Sequence, residues 1–193
     1  MTFPEFVPLD EKALSGLAHS VCIIDARGDI LWTNPAWHAF AADNGAADAS
    51  HAWTSYMAPI PEPLRAFYES AFREALASGT VFEHDYECSS PDRQRLYRLR
   101  ALPIGGRGLV LEHSLVSSLT HPEEHASELH ELYADANGIV TQCAHCRRVR
   151  HPRSGAFHWV PAWVRKPHAR TSHGLCTSCS GFYYGPHRVR SRR

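Results

Sequence analysis

Cys143 and Cys146 stand three positions apart in TQCAHCRRVR, and Cys176 and Cys179 repeat that spacing in LCTSC, with 29 residues between the pairs. Each pair can turn two thiolates toward one ion, and two such knuckles complete a four-sulfur tetrahedron, the ligand set of a structural zinc site. Four protein ligands leave no open position for water, which argues against metal-assisted hydrolysis. Zinc suits the site by softness and geometry, and iron also accepts four thiolates; a redox dithiol and unconnected thiols are the remaining readings. The interval exceeds the about 15–20 residues usual between such pairs and leaves room for a helix. His145, His151, His158, His168 and His173 are rival ligands. His173, three before Cys176, is the nearest, but four thiolates already satisfy the ion, so it is expected to support the knuckle through a hydrogen bond or packing.

Six cysteines in a chain of 193 residues read as ligands or redox groups in a reducing compartment rather than as a disulfide frame. The first sixteen residues are acidic and interrupted by prolines, unlike a secretory signal, and no run of eighteen apolar residues exists. The expected location is therefore cytoplasmic, with no membrane partner. A net charge of zero conceals segregation: residues 1–139 hold all 20 acidic residues and 9 of the 20 basic ones, and residues 140–193 hold no acid. That asymmetry predicts a module boundary near residue 135 and an anionic partner for the basic end.

The elements that must position these groups follow from periodicity. SVCIID and ILWTN are short branched and aromatic runs around Ala26-Arg27-Gly28-Asp29, a hairpin, and Asn34-Pro35 opens a helix that stops at Asn44-Gly45. Trp53 and Tyr56 lie in an irregular stretch and need burial. Leu64, Phe67, Tyr68, Ala71, Phe72, Ala75 and Leu76 recur at helical spacing up to Gly79. Phe82, His84, Tyr86 and Cys88 then alternate with Glu83, Asp85 and Glu87, and the returning strand carries Tyr97, Leu99 and Ala101 inward. Setting Asp85 opposite Arg98, Glu83 opposite Arg100 and Tyr86 opposite Tyr97 fixes the register, since a slip of one residue faces acids with apolar groups. GGRGLVLEHSLV supplies a further strand.

This order of elements, with IIDARGDILWTNPAWHAFA, resembles the PAS sensor fold, and DYECSSPDRQRLYRLRALPI with LVLEHSLV resembles its closing strands. The resemblance implies an α+β domain at residues 20–117, a five-stranded antiparallel sheet with helices on one face, behind an N-terminal extension at 1–19. It also implies a small cavity between sheet and helices that takes a small-molecule ligand or serves a protein partner. Inward candidates are Cys22, Trp32, Phe40, His84 and Tyr86, each of which core packing alone also explains. Haem ligation by His51 or His84 is an alternative, and no segment matches the cysteine motif of photosensing PAS domains. Residues 118–134 resemble a connecting helix, with Thr120 and Glu123 at capping-box spacing and Leu129 and Leu132 on a thin apolar side. Such a helix relays signals, pairs with its copy in a homodimer, or acts as a spacer.

CAHCRRVR, GAFHWVPAWV and SHGLCTSCSGFYY together are similar to a small cysteine-rich module appended to bacterial PAS and response-regulator proteins. Pro161 and Arg165-Lys166-Pro167 depart from it, standing where that module carries an acidic amphipathic helix. The module spans residues 135–185, with a basic tail at 186–193. The function expected is that of a non-enzymatic bacterial-type signalling protein, whose sensor domain binds a ligand or partner and whose zinc module presents a surface to a signalling protein. The alternative is a nucleic-acid-binding regulator. Arg147, Arg148, Arg150, Arg153, Arg188 and Arg190 (with Arg192 and Arg193) would contact phosphates, and Trp159, Trp163, Tyr183 and Tyr184 would stack on bases. No phosphate loop, nucleophile elbow or paired carboxylates mark an enzyme.

Overall fold

The computed structural model describes residues 2–44, 54–62, 64–120 and 129–185. Trp53, His51, Pro63, Glu123, Arg188 and Arg190 lie outside them.

The first hairpin joins β1 (Ser20–Asp25) to β2 (Ile30–Thr33). Asp25 closes it twice over: its Oδ1 accepts from the Arg27 and Asp29 amides at 2.8 and 2.9 Å, and its own amide donates to the Asp29 carbonyl. Gly28 sits at φ +90°, a region where a Cβ is disfavoured. Asn34 then caps α2 (Pro35–Asp43), accepting from the Trp37 amide, with Pro35 placed where its missing N–H has no intrahelical use.

α3 (Leu64–Ser78) lays Leu64, Tyr68, Phe72 and Ala75 on the sheet. β3 (Phe82–Glu87), β4 (Arg93–Ile104) and β5 (Gly108–Thr120) complete an antiparallel sheet of order β2-β1-β5-β4-β3. The expected register is present: Glu83 faces Arg100, Asp85 faces Arg98 and Tyr86 faces Tyr97. Arg98 Nε meets Asp85 at 2.7 Å and Arg100 Nε meets Glu83 at 2.9 Å. These exposed pairs select the register but each contributes less than about 1 kcal/mol; the stability comes from the apolar face behind them.

Around β1 both faces of this sheet are buried. Cys22 and Ile24 point toward α3, whereas Val21 and Ile23 point the other way, into a cluster with Val7, Leu14, Trp32, Ile104 and Val110. The cover on this second face is the N-terminal segment: Phe3 and Phe6 pack there, and α1 (Glu11–Ser15), capped by Asp10, adds Leu14. The extension at 1–19 is thus part of the folded unit. The uninterrupted apolar run Val21 to Ile24 is the trace of this in the sequence, because a strand covered on both sides has no need to alternate.

The connecting segment differs from expectation. Residues 118–120 continue β5 as strand, residues 121–128 are not described, and the helix seen is one turn, α4 (His130–Tyr133). Leu129 and Leu132 are exposed. Beyond α4 the DAxG turn of the first hairpin recurs: Asp135 Oδ1 accepts from the Asn137 and Ile139 amides at 2.8 and 2.9 Å, and Gly138 takes φ +70°. It leads into a second sheet of order β8-β7-β6-β9, formed by β6 (Val140–Cys143), β7 (Val149–Arg150), β8 (Phe157–His158) and β9 (Thr171–Gly174). α5 (Pro161–Arg165) and α6 (Thr177–Tyr183) complete the module. Its own core is small: Tyr133, Val140, Val149, Val160 and Trp163.

Candidate metal centre and the cavity beside it

β6 ends on Cys143, and the chain turns through Ala144 and His145 to Cys146 before entering β7. The turn is tight enough to place Arg147 at φ 66°, unusual for a residue with a side chain. Gln142, almost fully buried, holds it there by donating from Nε2 to the Arg147 carbonyl at 2.8 Å and to the Trp163 carbonyl at 3.2 Å. β9 runs parallel to β6 and delivers the second pair, with Cys176 capping α6.

The four Sγ atoms lie within 4.8 Å of one another and all four residues are buried. Cys146 and Cys176 Sγ are 4.0 Å apart, near the ~3.8 Å separation that a tetrahedron of ~2.3 Å zinc–sulfur bonds requires. Amides already point at the sulfurs: the Cys176 N–H donates to Cys143 Sγ at 3.3 Å and the Cys179 N–H to Cys176 Sγ at 3.4 Å. The donor set therefore fits a divalent soft cation. Hydrogen bonds from Cys146 and Cys179 hold the Cys143 thiol well below its ordinary pKa, while the bond to Cys143 raises those of Cys146 and Cys179. One negative charge is thus easily held, further ones repel, and a cation removes the repulsion.

No histidine joins this group among the described residues. His145 sits inside the knuckle, but both its nitrogens are engaged: Nε2 accepts from the Glu87 amide at 3.3 Å, and Nδ1 lies 2.8 Å from the Tyr184 hydroxyl. His173 is in β9 opposite Gln142. His158 Nδ1 meets the Tyr133 hydroxyl, His151 bonds Ser154, and His168 accepts from the Arg170 amide.

A cavity of about 350 Å³ lies between the first sheet and its helices, lined mainly by apolar and aromatic side chains. Phe40 and Tyr86, expected to face inward, line it. Cys22 and His84 are on the same side but are packed in the core rather than on the cavity wall, and Trp32 corrects the expectation outright. Trp32 is on the opposite face, edge-on to Phe3 at 5.3 Å, with Nε1 donating to Glu11 at 3.3 Å. A bulge in the β1–β2 pairing sets Trp32 opposite Ile23 and Ile30 opposite Ile24, so these two residues fall on opposite faces despite their even spacing. Burial lowers the His84 pKa to about 4 and raises that of the Cys22 thiol.

Among the cavity residues that periodicity missed are His113 and Tyr56. His113 bridges two phenols, Tyr86 at 2.7 Å from Nδ1 and Tyr56 at 3.3 Å from Nε2. Burial, with His19 a smaller cause, lowers its pKa to about 4. The unfolded chain protonates this ring near ~6.5, so the stability contributed by keeping it neutral is full above that value and is lost as the pH falls from there toward 4. Nitrogen-15 shifts of the His113 ring are expected to show a neutral imidazole at about pH 5.5, between those two values; half-titration near its ordinary value would contradict the burial.

The proposed stacking surface is also corrected. Trp159 is buried and donates from Nε1 to the Pro91 carbonyl at 3.1 Å, Trp163 belongs to the module core, and Tyr184 lines the cavity. Hydrophobic burial claims these rings. Arg150 and Arg153 are exposed, while Arg147 and Arg148 are half-buried.

The family model described as PAS fold matches residues 14–122. A Rhodobacter capsulatus protein described as "Uncharacterized 104.1 kDa protein in hypE 3'region" is 30% identical over 116 residues, which is 53% of this chain and 12% of that protein. Among solved structures, a domain of an HTR-like protein from Haloarcula marismortui aligns at 16% identity and a TM-score of 0.40, covering 52% of this chain and all of that one. The PAS domain of Bordetella pertussis BvgS aligns at 13% identity and a TM-score of 0.38, covering 55% and 82%. Residues 14–122 carry the five strands and the α2 and α3 cover, and by this match the chain belongs to the PAS fold family.

Proposed function

We propose that this protein is a non-enzymatic sensor of the bacterial signalling type. Its PAS domain receives the signal as a bound small molecule or partner, and its C-terminal module, built around a structural zinc ion, presents the response to another signalling protein. The observation that carries this reading is the closed set of four buried thiols on two knuckles. Cys143, Cys146, Cys176 and Cys179 would hold the ion, which would supply folding free energy to a module with little core of its own. With every ligand position taken by sulfur, the centre offers no place for a substrate or an activated water. Four reduced thiols also need a reducing compartment, for which we propose the cytoplasm; no helix of the described residues is long and apolar enough to cross a membrane.

Elemental analysis of the purified protein is expected to find one zinc per chain. Cobalt substitution should give the visible bands of a tetrahedral thiolate centre. Iron at equal stoichiometry would reassign the ion, and protein without stoichiometric metal would remove the proposal.

A further inference from the structure

The PAS cavity has two parents. Ala144 and His145 lie between the first two cysteines, Tyr184 follows α6, and all three line the same cavity as Trp37, Tyr56 and Tyr86. Ala144 and Tyr184 also pack with Leu64, Tyr68 and Phe72 in the main apolar cluster. The contact is specified by hydrogen bonds as well as packing. A backbone N–H only donates, so the Glu87 amide makes His145 Nε2 an acceptor, and the proton of the neutral ring sits on Nδ1, donating to Tyr184 Oη. The Tyr184 ring also stands edge-on to Phe67 on α3 at 5.0 Å. This wall of the cavity exists only while the knuckle is folded.

The remaining lining indicates what the cavity takes. Among the described residues no lysine or arginine lines it, and the phenols of Tyr56 and Tyr86 are committed to His113. Glu87, at the end of β3, is the one acidic residue among the described lining and is partly exposed. An anion placed inside would lose its hydration without gaining a counter-charge. Aromatic faces and aliphatic side chains instead favour a ring compound held by contact.

Resting on the sensor reading above, we infer that the cavity binds a small, uncharged, mostly apolar ring compound against a wall that includes the metal knuckle, so that metal and compound each strengthen the binding of the other. The coupling is an equilibrium property and must be equal in both directions.

The probe is N-phenyl-1-naphthylamine, uncharged and fluorescent out of water, with its sulfonated counterpart 1-anilinonaphthalene-8-sulfonate as the charged control. The zinc-loaded full chain is expected to bind one N-phenyl-1-naphthylamine and to prefer it to the sulfonate. Saturating probe should tighten zinc binding, read by competition with a chelator, by about five- to tenfold, and zinc removal should weaken the probe by the same factor. Ala144→Leu, which fills the cavity from the knuckle side, should weaken the probe at least as much while retaining one zinc per chain. Equal zinc affinity with and without probe would overturn the coupling, and no probe binding, or tighter binding of the sulfonate, would overturn the chemical class. Zinc content is measured in the same samples. A chain that never held zinc thus refutes the metal reading, whereas a zinc-loaded chain without coupling refutes only this inference.

Discussion

Removing the metal, by a strong chelator or by Cys143→Ser, is expected to abolish hydrogen-exchange protection across residues 140–184 while most amides of the five-stranded PAS sheet stay protected. The module's strands are two to four residues long and its separate apolar cluster has five members. Ordering some forty-five residues costs roughly 1 kcal/mol or more each, which a core of that size offsets only in part. A structural zinc ion contributes on the order of 10 kcal/mol, so its loss exceeds any margin a module of this size holds. The effect should not stop at the module boundary. Ala144, Leu175 and Tyr184 leave the PAS cluster when the knuckle opens, and Trp159 releases Pro91. The PAS domain should survive but lose roughly 2–4 kcal/mol, the scale of two or three buried apolar side chains. Trp159, 1% exposed, is a convenient reporter: its emission should shift to the red on chelation. Unchanged protection across 140–184 in metal-free protein would mean the four thiols are not the module's support.

The second large effect is expected at Asn34, which is fully buried. Its Oδ1 accepts from the Val21 and Trp37 amides, both at 3.0 Å, and its Nδ2 donates to the carbonyls of His19, Leu14 and Leu17 at 2.9, 3.3 and 3.4 Å. One side chain thus joins the end of α1, the start of β1 and the cap of α2. Asn34→Ala removes the cap, worth about 1 kcal/mol, and strands buried amides and carbonyls at about 1–3 kcal/mol each where no water reaches them. A loss of about 3–4 kcal/mol is expected, read as a lower urea midpoint at unchanged slope. Asn34→Asp should not rescue it, because a carboxylate accepts from both amides but cannot donate to three carbonyls and carries a charge into a dry site. A loss below about 1 kcal/mol for Asn34→Ala would show that the network adds nothing beyond an ordinary helix cap.

Much of the fold is legible in the sequence because it rests on local periods. The pairing of Glu83 with Arg100 and Asp85 with Arg98 follows from residue order alone, since strand side chains alternate strictly and opposite charges on the outer face admit one register. The N-terminal cover is legible in principle from Val21 to Ile24, but a strand buried on both faces gives no alternation to show which residue faces which layer. The bulge that turns Trp32 to the far side leaves no local mark in the sequence. The repeated DAxG turn at Asp25 and Asp135 is equally present in the sequence and leads the chain into β2 and into β6.

For the candidate metal centre, spacing alone picks out the four thiols that the fold gathers within 4.8 Å of one another: three-residue intervals restrict each pair to one knuckle. Composition likewise separates an acidic front from a basic end. Tertiary structure alone decides where the aromatics of that basic end go and what the knuckle touches. Trp159, Trp163 and Tyr184 are turned inward because the module has little else to bury. Ala144 and His145 become cavity wall only because β6 and β9 carry the knuckle against the end of β3, bringing together residues nearly sixty positions apart. Chain-local patterns encode which face of an element is apolar; which two apolar surfaces meet is set by packing over the whole chain.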